Sequence, residues 1–198
     1  MLVAFVALGA YAYTTAEAFI YQSFENRALD AILTHPHPRP HASASVPSAD
    51  REVGAAKASP APGSTLGRIE IPRLGVSAVV RSGSDARTLS LAVGHVAGTA
   101  LPGERGNVGL AAHRDTFFRR LGDLRPDDEI RMVTTEGTLE YRVERTDVVR
   151  PGDVWVLDPT ESSVLTLITC YPFTYFGAAP DRFVVRATLD ERPQRAAR

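Results

Sequence analysis

From about residue 65 onward, apolar and polar positions alternate with a period of two, the mark of strands that wet one face. In Thr138–Val149, Tyr141 and Val143 alternate with Glu140, Arg142 and Glu144. Asn107–His113 sets Val108, Leu110 and Ala112 on one face and Gly109, Ala111 and His113 on the other. Arg68–Ile71, Val76–Arg81, Glu129–Thr135, Val154–Leu157 and Arg182–Leu189 read as further short strands between turn residues. Glu136-Gly137 reads as a hairpin turn. Ser163–Cys170 (SVLTLITC) is apolar almost throughout and reads as a strand buried on both faces. Helical signals are confined to Asp85–Val93 and Thr116–Leu121. Some eight short strands and two short helices predict an all-β barrel or sandwich.

The upstream pattern is different. Met1–Ala16 carries no charge before Glu17 interrupts and AFIYQSF continues. Crossing a bilayer takes about 20 apolar residues, so the run is short. Residues 1–21 read first as a membrane anchor, with Tyr11, Tyr13 and Tyr21 suited to the interface. A secretory signal competes, because Ala10-Tyr11-Ala12 resembles a cleavage site, although no basic stretch precedes the run. Residues 22–33 (QSFENRALDAIL) read as a short amphipathic helix. Residues 34–64 are mostly Pro, Ala, Ser and His, too poor in apolar surface to offset the entropy of ordering. Such a linker reaches roughly 90 Å when extended, and it argues against the apolar segment packing on the domain that follows. His35, His37 and His41 read as solvated linker residues. Residues 65–190 form the folded domain, and 191–198 an Arg-rich tail.

Composition removes several chemistries. The 198 residues carry a net charge of −1, which gives no general attraction to nucleic acid. The lone lysine, Lys57, lies in the linker, which excludes a phosphate-binding G-K-[ST] loop and a buried Schiff-base lysine. Cys170 is the only cysteine, so neither an intrachain disulfide nor a cysteine-based zinc site can form. Asp123, Asp127, Asp128 and Glu129 read as a solvated acidic turn rather than a calcium site, and no metal or cofactor is expected.

What remains is a thiol. Cys170 ends the buried strand, and Pro172 stops the ladder just beyond it, which places the thiol at a barrel mouth. Alone, it reads as a small buried hydrophobe. If the domain is exported, a lone free thiol is a liability unless it is used. A cysteine nucleophile needs a proton partner. His113, at a strand end, is better placed than His95 in the Gly-rich GHVAGTALPGERG, which reads as packed or loop-shaping. Arg182 opens the last strand on the face of Val184 and Arg186. It reads either as a surface ion pair with Asp181 or as a guanidinium that holds a developing oxyanion.

These segments resemble the sortase family. Thr166–Cys170 (TLITC) is similar to the family's T-L-x-T-C strand, and an arginine follows a dozen residues later. GHVAGTALPG, then NVGLAAHRDTFFRRL, resembles the stretch around the sortase catalytic histidine, in wording nearest to class D. The resemblance covers about residues 66–190 and implies a closed eight-stranded β-barrel behind a membrane helix and a linker. It assigns the catalytic roles to His113, Cys170 and Arg182. It implies a cysteine transpeptidase: a short motif of the LPxTG kind is cleaved through a thioacyl enzyme and the acyl group passes to an amine. Its partners would be proteins bearing a C-terminal sorting motif, an amine acceptor such as a peptidoglycan cross-bridge or pilin, and the membrane. The protein would be single-pass in the cell membrane, with the barrel on the extracytoplasmic side. The 150–163 segment would border the substrate groove, with Trp155 read as core rather than as a substrate platform. The uncharged N-terminus is shorter than the family's membrane helix. A cysteine hydrolase and a non-catalytic tethered β-domain are the alternatives.

Overall fold

The alternation resolves into an inside and an outside. Strands β1 (Thr65–Ile71), β2 (Val76–Ser82), β3 (Val93–His95), β4 (Asn107–Ala111), β5 (Glu129–Thr134), β6 (Gly137–Val149), β7 (Val164–Tyr171) and β8 (Asp181–Leu189) form one closed barrel. Its strand order is β1-β2-β3-β4-β7-β8-β6-β5. The computed structural model describes residues 16–31, 59–175 and 177–190. Ile69, Val108, Leu110, Tyr141, Leu165, Leu167, Val185 and Ala187 are among the side chains that fill the barrel. Tyr141 is 1% exposed, and burial pushes its phenol up to about 12.

Two pairings are parallel, β2 with β3 and β4 with β7. A parallel pair needs a crossover. Between β2 and β3 it is α2 (Ala86–Leu91), whose first turn is capped by the Asp85 carboxylate accepting from Arg87 N and Thr88 N. Between β4 and β7 it is the β5–β6 hairpin with its flanking segments.

Eight strands were expected, but not the same eight. Val154–Leu157 is a 3-10 turn, and Val93–His95 is a strand instead. Three residues centred on a glycine carry no readable period, whereas four apolar residues imitate a strand. Residues 114–120 are turns and a 3-10 turn covers Leu121–Asp123, where a helix was expected. The strand expected at Asn107–His113 ends at Ala111.

The boundary expected at residue 21 also needs correction. Helix α1 spans residues 16–31 without a break at 21, and carries Glu17, Glu25, Arg27 and Asp30. Among the described residues no helix is long and apolar enough to cross a membrane. Nor does α1 stand away from the barrel. Val79 lies one residue before the first β2–β3 pair, so its N–H has no strand partner there. It donates to Gln22 Oε1 at 2.8 Å, while Gln22 Nε2 donates to Leu91 O at 2.8 Å. Arg68–Asp30 and Arg87–Glu17 ion pairs and buried Leu29 complete the docking. The linker also ends earlier than expected, since Gly63 N and Ser64 O already pair with Ser82. The apolar residues 1–15, positions 32–58 with His35, His37 and His41, and the tail 191–198 lie outside the described residues.

Candidate active site

Parity along three neighbouring strands decides what meets at the site. Leu165 and Leu167 of β7, Val185 and Ala187 of β8, and Val108, Leu110 and Ala112 of the β4 segment belong to the core. Cys170, Arg182 and His113 are therefore all on the opposite, outer face. This corrects the expected position at a barrel mouth: the three side chains emerge on the outside of the wall.

Cys170 and Arg182 are direct partners across the β7–β8 ladder, so their Cβ atoms stand about 4.5–5.5 Å apart. His113 lies two residues beyond β4. The last parallel pair is Ala111 with Ile168, and Ala112 N still donates to Ile168 O at 3.2 Å. The same offset carried two residues further brings His113 level with Cys170. Thr169 fastens this extension, its hydroxyl donating to Ala112 O at 2.8 Å. The carbonyl of His113 accepts from Phe118 N at 3.2 Å, which fixes the backbone as it turns away. His113 is exposed, and Cys170 and Arg182 are half-buried.

The outer face of β4 and β7 is covered at one end and open at the other. Asn107, Gly109 and Thr166 are buried, whereas Ala111, Ile168 and Cys170 are partly exposed. The cover is the β6–β7 connection. Asn107 Nδ2 donates to Val156 O at 2.9 Å and Asp158 O at 3.2 Å, while its Oδ1 accepts from the Thr166 hydroxyl at 2.7 Å. Gly109 lets the cover close, since a Cβ there would lie 2.6 Å from Leu157 Cδ2 and 3.0 Å from Thr99 Cγ2. Cys170, His113 and Arg182 lie at the open end of this face. Sequence reasoning missed Asn107 and Thr166, whose only signal is a polar residue within an apolar run.

His95 is not part of this group. It is buried at 4% exposure, with Nε2 2.9 Å from Ala100 O and 3.1 Å from Thr99 Oγ1, and it shapes the loop after β3. Trp155 is 53% exposed, which overturns its reading as core. The 3-10 turn buries Val156 and leaves Val154 and Trp155 outside. Among the described residues, Arg182 forms no ion pair with the Asp181 carboxylate. Its Nη1 donates to the carbonyls of Asp181 at 2.9 Å and Ala179 at 3.3 Å. The acidic turn is engaged with arginines: Arg120–Asp123, Arg73–Asp128 and Arg131–Glu129 are ion pairs. A depression of about 520 Å³ beside it, lined by Arg73, Arg120 and Arg125, contains none of the three candidates.

The sequence and the barrel have known counterparts. The sortase-domain family model matches residues 69–190. Sortase D of Bacillus subtilis strain 168 is 35% identical over 139 residues, 70% of each chain. The structure of a Clostridium perfringens sortase D5 transpeptidase aligns with a TM-score of 0.61 at 31% identity, covering 66% of this chain and 81% of that one. A lid mutant of sortase A from Corynebacterium diphtheriae gives 0.61 at 31% identity, over 67% of this chain and 74% of that one. A C. perfringens sortase C, solved with the C-terminal cell wall sorting motif, gives 0.61 at 29% identity over 66% and 73%. The chain therefore belongs to the sortase family of cysteine transpeptidases.

Proposed function

We propose that the protein cleaves a short sorting motif of the LPxTG kind and joins the acyl part to an amine, with His113, Cys170 and Arg182 as the catalytic residues. The observation that carries this reading is the pairing of Cys170 with Arg182 on one outer face, at the level where the β4–β7 register brings His113. The Cys170 thiolate attacks the scissile carbonyl carbon and forms a C–S bond. The carbonyl π electrons move to oxygen, where the Arg182 guanidinium stabilises the charge. As the tetrahedral centre collapses, the C–N bond breaks and His113 protonates the leaving amine. His113 is then neutral and takes a proton from the incoming ammonium group. That amine attacks the thioester carbon, its second proton leaves to solvent, and the C–S bond breaks to restore the thiolate and release the new amide.

The sorting motif in the C. perfringens sortase C structure supports a substrate of this class. The acceptor in this proposal is the amine of a peptidoglycan cross-bridge or of a pilin. The uncharged run Met1–Ala16 holds the chain at the cell membrane with the barrel on the extracytoplasmic side.

The test is mass spectrometry of products from LPxTG-type peptides, with and without oligoglycine or hydroxylamine. The amine should raise turnover and appear in the product as amide or hydroxamate, with ping-pong kinetics. Cys170→Ala and His113→Ala should abolish product. Fast hydrolysis with no amine incorporated would make the protein a cysteine hydrolase. A peptide library left untouched, together with a Cys170 that resists alkylation, would favour a non-catalytic domain.

A further inference from the structure

The residue that follows His113 reaches across to the loop that follows Cys170. Arg114 Nη1 donates to Pro172 O at 2.9 Å and its Nη2 donates to Gly177 O at 3.1 Å. Its guanidinium also lies 5.9 Å from the centre of the Tyr175 ring. The loop between β7 and β8 is well fixed only at its base. There Tyr171, Phe173 and Phe183 form an aromatic cluster, and Phe173 packs against Gly122, where a Cβ would come within 2.7 Å of the ring. Among the described residues beyond Phe173, the loop is exposed except at half-buried Ala179. Among the described residues, side-chain hydrogen bonds to 174–180 come from two guanidiniums, Arg114 to Gly177 and Arg182 to Ala179.

Resting on the transpeptidase reading, we infer that Arg114 is a positioning residue that clamps the β7–β8 loop and thereby favours amine over water at the thioacyl intermediate. The geometry explains the coupling. The loop spans the gap from Cys170 to its cross-strand partner Arg182, and Arg182 leans on the same loop through Ala179 O. A loop that shifts takes the Arg182 guanidinium with it and loosens the site where the thioester forms. The clamp also joins the exits of β4 and β7, so His113 and Cys170 move as one unit. Two directed bonds to carbonyls about five residues apart suit a planar guanidinium. A lysine ammonium reaches one carbonyl at a time.

The experiment compares the full chain with Arg114→Ala and Arg114→Lys in two measurements. The first needs no activity: amide hydrogen exchange should accelerate within 172–180 in Arg114→Ala and stay unchanged in the core amides of β4 and β7. The second is the ratio of aminolysis to hydrolysis of an LPxTG-type peptide with oligoglycine. Arg114→Ala should lower kcat/KM roughly tenfold or more and raise the hydrolysed share, with Arg114→Lys in between. Unchanged loop exchange, or faster exchange throughout the barrel, would overturn the clamp. So would a product ratio equal to that of the unaltered protein. If the unaltered protein converts no peptide, the transpeptidase reading fails, and the exchange result alone decides whether Arg114 holds the loop.

Discussion

Arg182 holds the loop carbonyl of Ala179 and the β8 carbonyl of Asp181 through a single nitrogen, Nη1. Among the described residues these bonds use neither Nε nor Nη2, so the planar fork has donors left for the oxyanion of the proposed mechanism. Arg182→Lys keeps a cation but loses the fork. It should leave the unfolding midpoint close to that of the parent and lower turnover by roughly 10²-fold, read from steady-state kinetics beside thermal unfolding. That Arg182 points away from Phe183, Val185 and Leu189 was legible from the alternation of the last strand, whereas SVLTLITC, apolar almost throughout, does not say which way Cys170 faces. Nor was the position of His113 legible. Its position depends on a parallel pairing between strands more than fifty residues apart, and periodicity within one strand says nothing of its neighbour. The family resemblance supplied what periodicity lacked. Trp155 was misread because an aromatic in an apolar tetrad looks like core, and only the tight 3-10 turn shows that half the tetrad faces out.

At the scale of elements, the β6–β7 connection and β4 fit together through the missing side chain of Gly109. Gly109→Ala should cost roughly 1–3 kcal/mol in chemical denaturation, because the added methyl overlaps Leu157 and Thr99. Adding Leu157→Ala should return part of that loss, a coupling that a double-mutant cycle would measure. Helix α1 hangs on a similar detail. Gln22→Ala orphans Val79 N–H and Leu91 O, and should destabilise the docked helix by roughly 1–3 kcal/mol, with faster exchange at the Val79 amide. The strands β5, β6, β7 and β8 were readable within a residue or two. The short β3 was not, since three residues are held by their neighbours rather than by their own pattern. The docking of α1 was hidden for a related reason: one glutamine amide completes two backbone groups of the barrel, and no hydrophobic period announces it.

For the molecule as a whole, the packed interior sets an alkaline limit. The Tyr141 phenol ionises near 10 in the unfolded chain and is pushed up to about 12 by burial in the fold. Below pH 10 both states keep the proton and the contribution of this group is fully present. As pH rises from 10 to 12 the unfolded chain gives up the proton while the folded one retains it, so stability falls by roughly 2–3 kcal/mol over that window. Denaturant unfolding between pH 9 and 12 should show this slope, and Tyr141→Phe should flatten it. The closure of the barrel carries a different consequence. With β5 joined to β1, each strand has a neighbour on both sides along the ring. An extended peptide is therefore offered no free strand edge on which to zip itself as an added strand, the route by which many proteins capture unstructured segments with little regard for sequence. A substrate tail must instead be read by the side chains that stand out from the wall and by the loops that border them. In this fold selectivity is a product of closure itself: a segment that fails to fit that surface finds no backbone register to fall back on.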